Sequence, residues 1–396
     1  MTAEAGRPVP LVALMCAAEV FSMTGFSAYP AFLPALREAW QMSGVQAGFV
    51  GGAFFFGYML AVPLLSGITD RIDARSVFAA SCLLACLGTA GFAGFARGAP
   101  SGAMFQALTG AGLAGTYMPG LKALTDRLTG PHQARSIAFY TASFGVGTSL
   151  SLALAGWLGA VLPWRPAFAM LALGPLLAAA LVALRLRRQP PLNSPAAAWP
   201  RPGRVLAERE VLRYALGYAA HCWELFGLRS WMVAFIAFAA SVSGSACPWL
   251  SATDVAALIN LCGLPASVLG NEAAGRLGRL RWIARVMACA GALSWLTGLA
   301  ASAPWWILLP LLAAYFACVM GDSAALTAGL VAAAPAAQRG AAMAIHSLLG
   351  FGAGFLAPVL FGATLDTAGG GRLGWAAAFA TLSAGGLLWA AARRRA

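Results

Sequence analysis

Charge is scarce in this sequence. Only 10% of its 396 residues are charged, against about 25% in a soluble domain. A soluble chain this poor in charge would precipitate, so lipid is the better solvent. Acidic residues number 13, and lysine occurs once, as Lys122. The eight cysteines sit almost entirely inside apolar runs and lack metal-type spacing, which argues against a zinc site or a disulfide framework and for small core hydrophobes. No glycine cluster follows a strand pattern, so no phosphate-binding loop is implied and ATP hydrolysis would need another subunit. No nucleophile–base pair and no soluble output domain is present, which disfavours a membrane enzyme or a non-transporting sensor. No metal or other cofactor is expected.

What the chain has is apolar surface. Hydrophobic residues make up 60% and the mean hydropathy is +0.76. Spans of about 20 apolar residues cross a bilayer. Twelve are expected, at 10–34, 45–66, 77–96, 101–122, 136–161, 166–184, 212–240, 252–273, 282–302, 305–330, 341–363 and 374–392. The first has no small-residue cleavage site behind it and is read as a retained helix, not a signal peptide.

The net charge of +13 could mean nucleic acid. The basic residues are instead scattered between apolar runs, as membrane topology requires, so nucleic acid is not an expected partner. With the N-terminus in the cytoplasm, the inner loops collect Arg71, Arg75, Arg127, Arg135, Arg276, Arg279 and Arg339, the outer ones only Arg37, Arg97, Arg165 and Arg372. This positive-inside bias places both termini in the cytoplasm of a multi-pass inner-membrane protein. A proline- and arginine-rich stretch, 189–210, reads as a cytoplasmic linker. It separates an N-terminal six-helix bundle, 1–188, from a C-terminal one, 211–396.

The two halves echo each other. Met118-Pro-Gly120-Leu-Lys122-Ala-Leu-Thr125 recurs as Met320-Gly-Asp322-Ser-Ala-Ala-Leu-Thr327, and each copy is followed by Pro-x-x-x-Arg, at Pro131–Arg135 and Pro335–Arg339. Gly25-x-x-x-Tyr29 matches Gly227-x-x-x-Trp231, and Trp164-x-x-x-Phe168 matches Trp375-x-x-x-Phe379. A repeat of half the chain is how many membrane transporters are built.

Between the second and third spans lies Gly67-Ile-Thr-Asp70-Arg71-Ile-Asp73-Ala-Arg75. It resembles the signature loop of the major facilitator superfamily, Gly-x-x-x-Asp-Arg-x-Gly-Arg-Arg, with the acid one residue early and Asp73 where that family prefers glycine. The corresponding loop of the second half keeps Arg276, Gly278 and Arg279 and loses the acid. The resemblance covers the whole chain. It implies an all-α membrane fold of twelve transmembrane helices in two pseudo-symmetric bundles, with spans 1, 4, 7 and 10 lining a central cavity. Two features depart from the drug antiporters: Gln106 stands where an arginine often precedes Gly110, and span 5 lacks their Gly-Pro. Span 7, with His221-Cys-Trp-Glu224, and span 10, with Asp322, look more like the branch of cyanate and nitrate-type porters. A carboxylate among arginines on such a loop can bond neighbouring helix ends and bias which face stays closed. Gly67, Asp70, Arg71, Arg75, Arg276, Arg279 and His346 are therefore the expected gating residues.

A charge at mid-bilayer costs about 2.5–3.5 kcal/mol even on a lenient scale, so those that persist usually border water. Glu19, Gln106, Tyr117, Lys122, His221, Glu224, Arg229 and Asp322 fall in the four spans that the resemblance places around the cavity. Glu19 lies about 13 Å along its helix. His221 and Glu224 share a helix face, and Glu19 and His221 stand at equivalent places, six before Gly25 and Gly227. Histidine titrates near neutrality, and carboxylates held out of water take protons more readily, which suits proton coupling. Arg229 either binds an anion through its planar fork or snorkels to the interface. Asp322 is expected to pair with Lys122 or Arg229.

The chain therefore reads as a secondary transporter working by alternating access, proton-linked, for a small polar or anionic solute, and acting as a monomer. The alternative is proton-coupled efflux of a lipophilic cation or drug, with Phe21, Phe26, Trp223 and Trp231 around its body.

Overall fold

In a bilayer every backbone N–H and C=O must be satisfied within the protein, and a helix does this locally. The structure, a computed structural model, describes residues 8–128, 133–189, 208–335 and 338–395. Most of the expected linker, and Pro131 of the repeat, lie outside them. Among the described residues there are fifteen α-helices and no strand. They are α1 (Pro8–Ser22), α2 (Ala28–Ala39), α3 (Gly44–Ile68), α4 (Ala74–Phe95), α5 (Ala99–Thr125), α6 (Gln133–Val161), α7 (Trp164–Leu171) and α8 (Leu173–Arg185). After the linker come α9 (Arg209–Ser243), α10 (Ala252–Leu277), α11 (Arg279–Leu299), α12 (Trp305–Met320), α13 (Ser323–Ala333), α14 (Arg339–Thr367) and α15 (Arg372–Arg395).

Every expected span lies on helix, and ten stretches are long and apolar enough to cross a membrane. The first and fourth expected spans are not among the ten. A break after Ser22 cuts the first into α1 and α2. The fourth is α5, whose apolarity is diluted by Gly, Ser, Thr, Pro, Gln106 and Lys122.

That first break has a local cause. Ser22 and Thr24 turn their hydroxyls onto the carbonyls of Glu19 (2.8 Å) and Phe21 (3.3 Å), offering the backbone an alternative to the helix. The freed groups are satisfied from afar. Ser151 of α6 accepts the Ser27 N–H (2.9 Å) and donates to the Thr24 carbonyl (2.8 Å). Thr24 also donates to the Leu171 carbonyl at the end of α7 (2.7 Å). The tenth expected span breaks likewise, between α12 and α13 at Gly321–Asp322, two poor helix formers. There the indole of Trp282 donates to the Gly321 carbonyl (2.9 Å).

By packing, the chain divides into two compact units: Met1–Tyr29 with Gly57–Ala198, and Pro30–Phe56 with Trp199–Ala396. In the first, α4 packs along α5, and α1 against α6 and α8. A Cβ at Gly112 of α5 would meet the backbone of Ala85 on α4, so small residues set this close approach. In the second, α9 packs on α14, α11 on α15, and α10 on α12.

The matched sequence pairs turn out to be neighbours in space. In the first unit Phe92 sits between Tyr29 (6.3 Å between ring centroids), Trp164 (5.9 Å) and Phe168 (4.4 Å). In the second, Trp231 meets Trp375 (6.1 Å) and Phe361 (5.3 Å), and Phe235 meets Phe379 (4.5 Å). Each half thus encloses an aromatic cluster built from the same two motifs.

The first half of α3 lies in the second unit, on α14. Gly44, Gly48 and Gly52, spaced by four, approach the carbonyls of Gly362, Pro358 and Phe355 so closely that a Cβ at any of them would collide. The start of α3 is capped twice over. Ser43 accepts the Gln46 N–H (3.2 Å) while its own N–H reaches the Gln46 side chain (3.1 Å), a capping box. Asp366 of α14 accepts the N–H groups of Gly44 (2.6 Å) and Val45 (2.9 Å). The four N–H groups that a helix start leaves unpaired are thereby satisfied. Asp366→Ala is expected to cost about 0.5–2 kcal/mol, the usual worth of a helix cap. An unchanged denaturation midpoint would show that the carboxylate contributes nothing.

Candidate functional site

In the first unit α1 carries Glu19 one turn before its break. The side chain is fully buried. The Tyr140 hydroxyl of α6 lies 2.9 Å from Glu19 Oε2 and 3.0 Å from the Thr116 carbonyl of α5. A phenol has one proton to donate and a carbonyl only accepts. If the hydroxyl donates to Thr116, its contact with Glu19 requires a proton on the carboxyl; if it donates to Glu19, the carboxylate is served. Tyr140 therefore suits both protonation states. Glu19 Oε1 is buried with no hydrogen-bond partner among the described residues. Tyr117 stacks on Tyr140 (6.0 Å, 19°), and its hydroxyl lies 3.4 Å from that of Thr141. Gln106 is buried in the same helix as Tyr117.

Gly120 explains how Tyr140 reaches in. A Cβ at Gly120 would collide with the Tyr140 hydroxyl. In the repeat, Gly120 corresponds to Asp322. The second unit fills the equivalent place with that carboxylate: Asp322 Oδ1 lies 2.7 Å from His221 Nδ1. Both groups are buried. The two atoms are at ion-pair distance without the alignment of a hydrogen bond, and a protonated imidazole there would offset the carboxylate's charge. Asp322 stands at the N-terminus of α13 without capping it, where the helix dipole favours negative charge. Its partner is His221, and Lys122 pairs instead with Asp126 one turn on (3.1 Å).

Other groups gather along α9. Tyr315 of α12 donates to Glu224 Oε1 (2.9 Å). Tyr218 stacks on His346 of α14 (3.6 Å, 13°), whose Nε2 is 3.4 Å from Thr327 Oγ1. Arg229 donates through Nε to Asn260 of α10 (2.8 Å), and its guanidinium carbon lies 5.6 Å from the Phe316 ring centroid. Trp231 is 1% exposed and its indole donates to the Pro358 carbonyl (3.0 Å).

At the signature-like loop, the bonds expected of Asp70 are made by Asp73. Asp73 accepts the backbone N–H of Arg75 (3.0 Å), a guanidinium N–H of Arg127 (3.2 Å) and the backbone N–H of Gln189 (2.9 Å). Arg75 reaches the end of α8, donating to the carbonyls of Val182 (3.3 Å) and Ala183. Asp70, Arg71 and Arg276 are exposed, and Gly67 has open space around it. Arg279 starts α11 directly after Gly278, whose φ of +88° suits glycine.

Sequence reasoning passed over Tyr140, Asn260, Asp73 and Asp366. A tyrosine inside an apolar span needs a partner for its hydroxyl, and that signal was available for Tyr140. Two of the eight cysteines, Cys289 and Cys318, also bring their sulfurs to 3.7 Å.

The family model described as Major Facilitator Superfamily matches residues 15–358 of this chain. No curated protein matches it in sequence. Among solved structures, a bacterial homologue of the human lysosomal transporter Spinster, inward-facing and unoccupied, is similar over 99% of this chain and 95% of its own, with a TM-score of 0.73 and 16% identity. The POT family transporter PepTSo is similar over 97% and 96%, with a TM-score of 0.76 and 16% identity. The nucleoside transporter NupG is similar over 97% and 98%, with a TM-score of 0.78 and 13% identity. At these identities the likeness is one of fold.

Proposed function

We propose, from the premise that this chain belongs to the Major Facilitator Superfamily, that it is a proton-linked secondary transporter for a small polar or anionic solute. Membership makes it a multi-pass membrane transporter and not an enzyme. The coupling is our reading, as are its monomeric action, its place in the inner membrane with both termini cytoplasmic, and alternating access by two six-helix bundles.

One observation carries the reading. Each unit buries an acid beside a group able to give or take a proton: Glu19 with Tyr140 in the first, Asp322 with His221 in the second. A buried charge is expensive unless it is paired or neutralised. A transporter that loads and releases protons needs groups whose partners accept either state. Glu224 with Tyr315 adds a third such pair. The efflux reading loses support, since Trp231 is sealed in its aromatic cluster and the Trp223 indole is bonded to the Thr381 carbonyl (2.9 Å).

The test is solute accumulation in proteoliposomes under an imposed pH gradient. Glu19→Gln and Asp322→Asn are expected to abolish accumulation driven by pH while leaving exchange of solute down its own gradient. Tyr140→Phe is expected to slow the pH-driven mode without removing it. Full pH-driven accumulation in both acid variants would end the proton assignment.

A further inference from the structure

Arg229 is a cation that the second unit does not neutralise. Its side chain stays protonated in any ordinary environment, and no carboxylate pairs with it among the described residues. Two buried acids of this unit are engaged elsewhere, Glu224 of α9 by Tyr315 and Asp322 at the start of α13 by His221.

Arg229 sits well inside its helix. Arg229 lies in the 35-residue helix α9, about 30 Å from its start and about 21 Å from its end at 1.5 Å per residue. The contacts also hold it sideways. Nε donates to Asn260 Oδ1 (2.8 Å), and Asn260 is itself fixed by donating to the Ala256 carbonyl (2.8 Å). The Phe316 ring lies against the guanidinium. Both terminal nitrogens, the prongs of the fork, make no hydrogen bond among the described residues, and the residue is partly exposed.

A cation held between helices with no counter-ion is costly. A guanidinium steered through Nε, with its planar fork left over, is the arrangement that receives a carboxylate or phosphate through two parallel hydrogen bonds. We propose that Arg229, positioned by Asn260 and Phe316, is the binding site for an oxyanion, and that this oxyanion is the charged group of the transported solute. The second clause rests on the transport reading above; the first does not.

The two are separated by measuring binding in detergent, with no gradient present. Acetate, succinate and inorganic phosphate are titrated against purified full-length protein, beside acetamide and succinamide as uncharged counterparts, with thermal stabilisation and calorimetry as readouts. At least one anion is expected to bind where its amide does not. Arg229→Gln is expected to weaken that anion about tenfold to a hundredfold, the worth of charge-assisted hydrogen bonds. Arg229→Lys keeps the charge and loses the fork, and should fall between. Asn260→Ala should weaken binding less than Arg229→Gln. If Arg229→Gln does not fold, the lysine and Asn260 variants carry the comparison. A second arm uses nanodiscs of phosphatidylglycerol or of phosphatidylcholine. Stabilisation by phosphatidylglycerol that requires Arg229, with none by soluble anions, upholds the oxyanion site and overturns its assignment to the solute. Equal anion binding by wild type and by all Arg229 variants overturns the site. Anion binding that needs Arg229 in a protein that no pH gradient drives would leave the site standing and remove the proton reading.

Discussion

Replacing His221 with alanine is expected to destabilise the protein by about 3–5 kcal/mol, the loss seen when one member of a buried charged pair is removed. The His221 ring and the Asp322 carboxyl are 2.7 Å apart, with side chains 2% and 4% exposed. Neither has water to fall back on. Removing the ring strands the carboxyl at a helix start, with only the dipole of α13 in its favour. Removing both should cost much less, because an apolar pair of similar volume needs no solvation. His221→Leu combined with Asp322→Leu is therefore expected to recover most of the loss. Reversible denaturation in mixed micelles measures both, and the effect of the double change minus the sum of the two single leucine changes is the coupling energy. Additive effects of the two substitutions would mean that the two side chains do not interact there. The double variant should be well folded and deaf to a pH gradient, separating stability from coupling.

Trp231→Ala is expected to cost a similar amount, about 3–5 kcal/mol, as large-to-small changes of buried aromatics do. Trp231 packs against Phe361 and Trp375, and its indole N–H is paired with the Pro358 carbonyl. Alanine would leave a cavity that rigid rings cannot collapse into, and would remove the hydrogen bond as well. Trp231→Phe keeps most of the volume and should cost roughly 1–2 kcal/mol, set mainly by the lost hydrogen bond. Stability unchanged in Trp231→Ala, with loss of cation extrusion, would restore the residue to a ligand-facing role and revive the efflux reading.

Much of this architecture could be read from the chain. Apolar length placed helices at every expected span because a bilayer demands that length. The Tyr29/Trp164 and Trp231/Trp375 echoes were visible as spacing, and the structure shows them to be one cluster repeated. The helix breaks were not visible. Met23–Ser27 and Gly321–Asp322 use Gly, Ser and Thr, which membrane helices carry throughout. What makes these breaks tolerable is Ser151 and Trp282, remote in sequence. The acids and His221 were found, but the pairings were not: Tyr140 is 121 positions from Glu19, and His221 lies 101 residues before Asp322. Asp73 was passed over because the family pattern pointed to Asp70, whereas geometry favours the acid that precedes α4 and faces Arg127 and Gln189.

Gly120 and Asp322 hold matching places in a duplicated chain, yet they are no longer spare parts for each other. An aspartate at 120 would push the Tyr140 phenol off Glu19; a glycine at 322 would leave His221 without its acid. A molecule made by copying either half twice would own two identical buried acid sites and lack the other kind altogether. The asymmetry of the machine is written in which half kept a hole and which filled it.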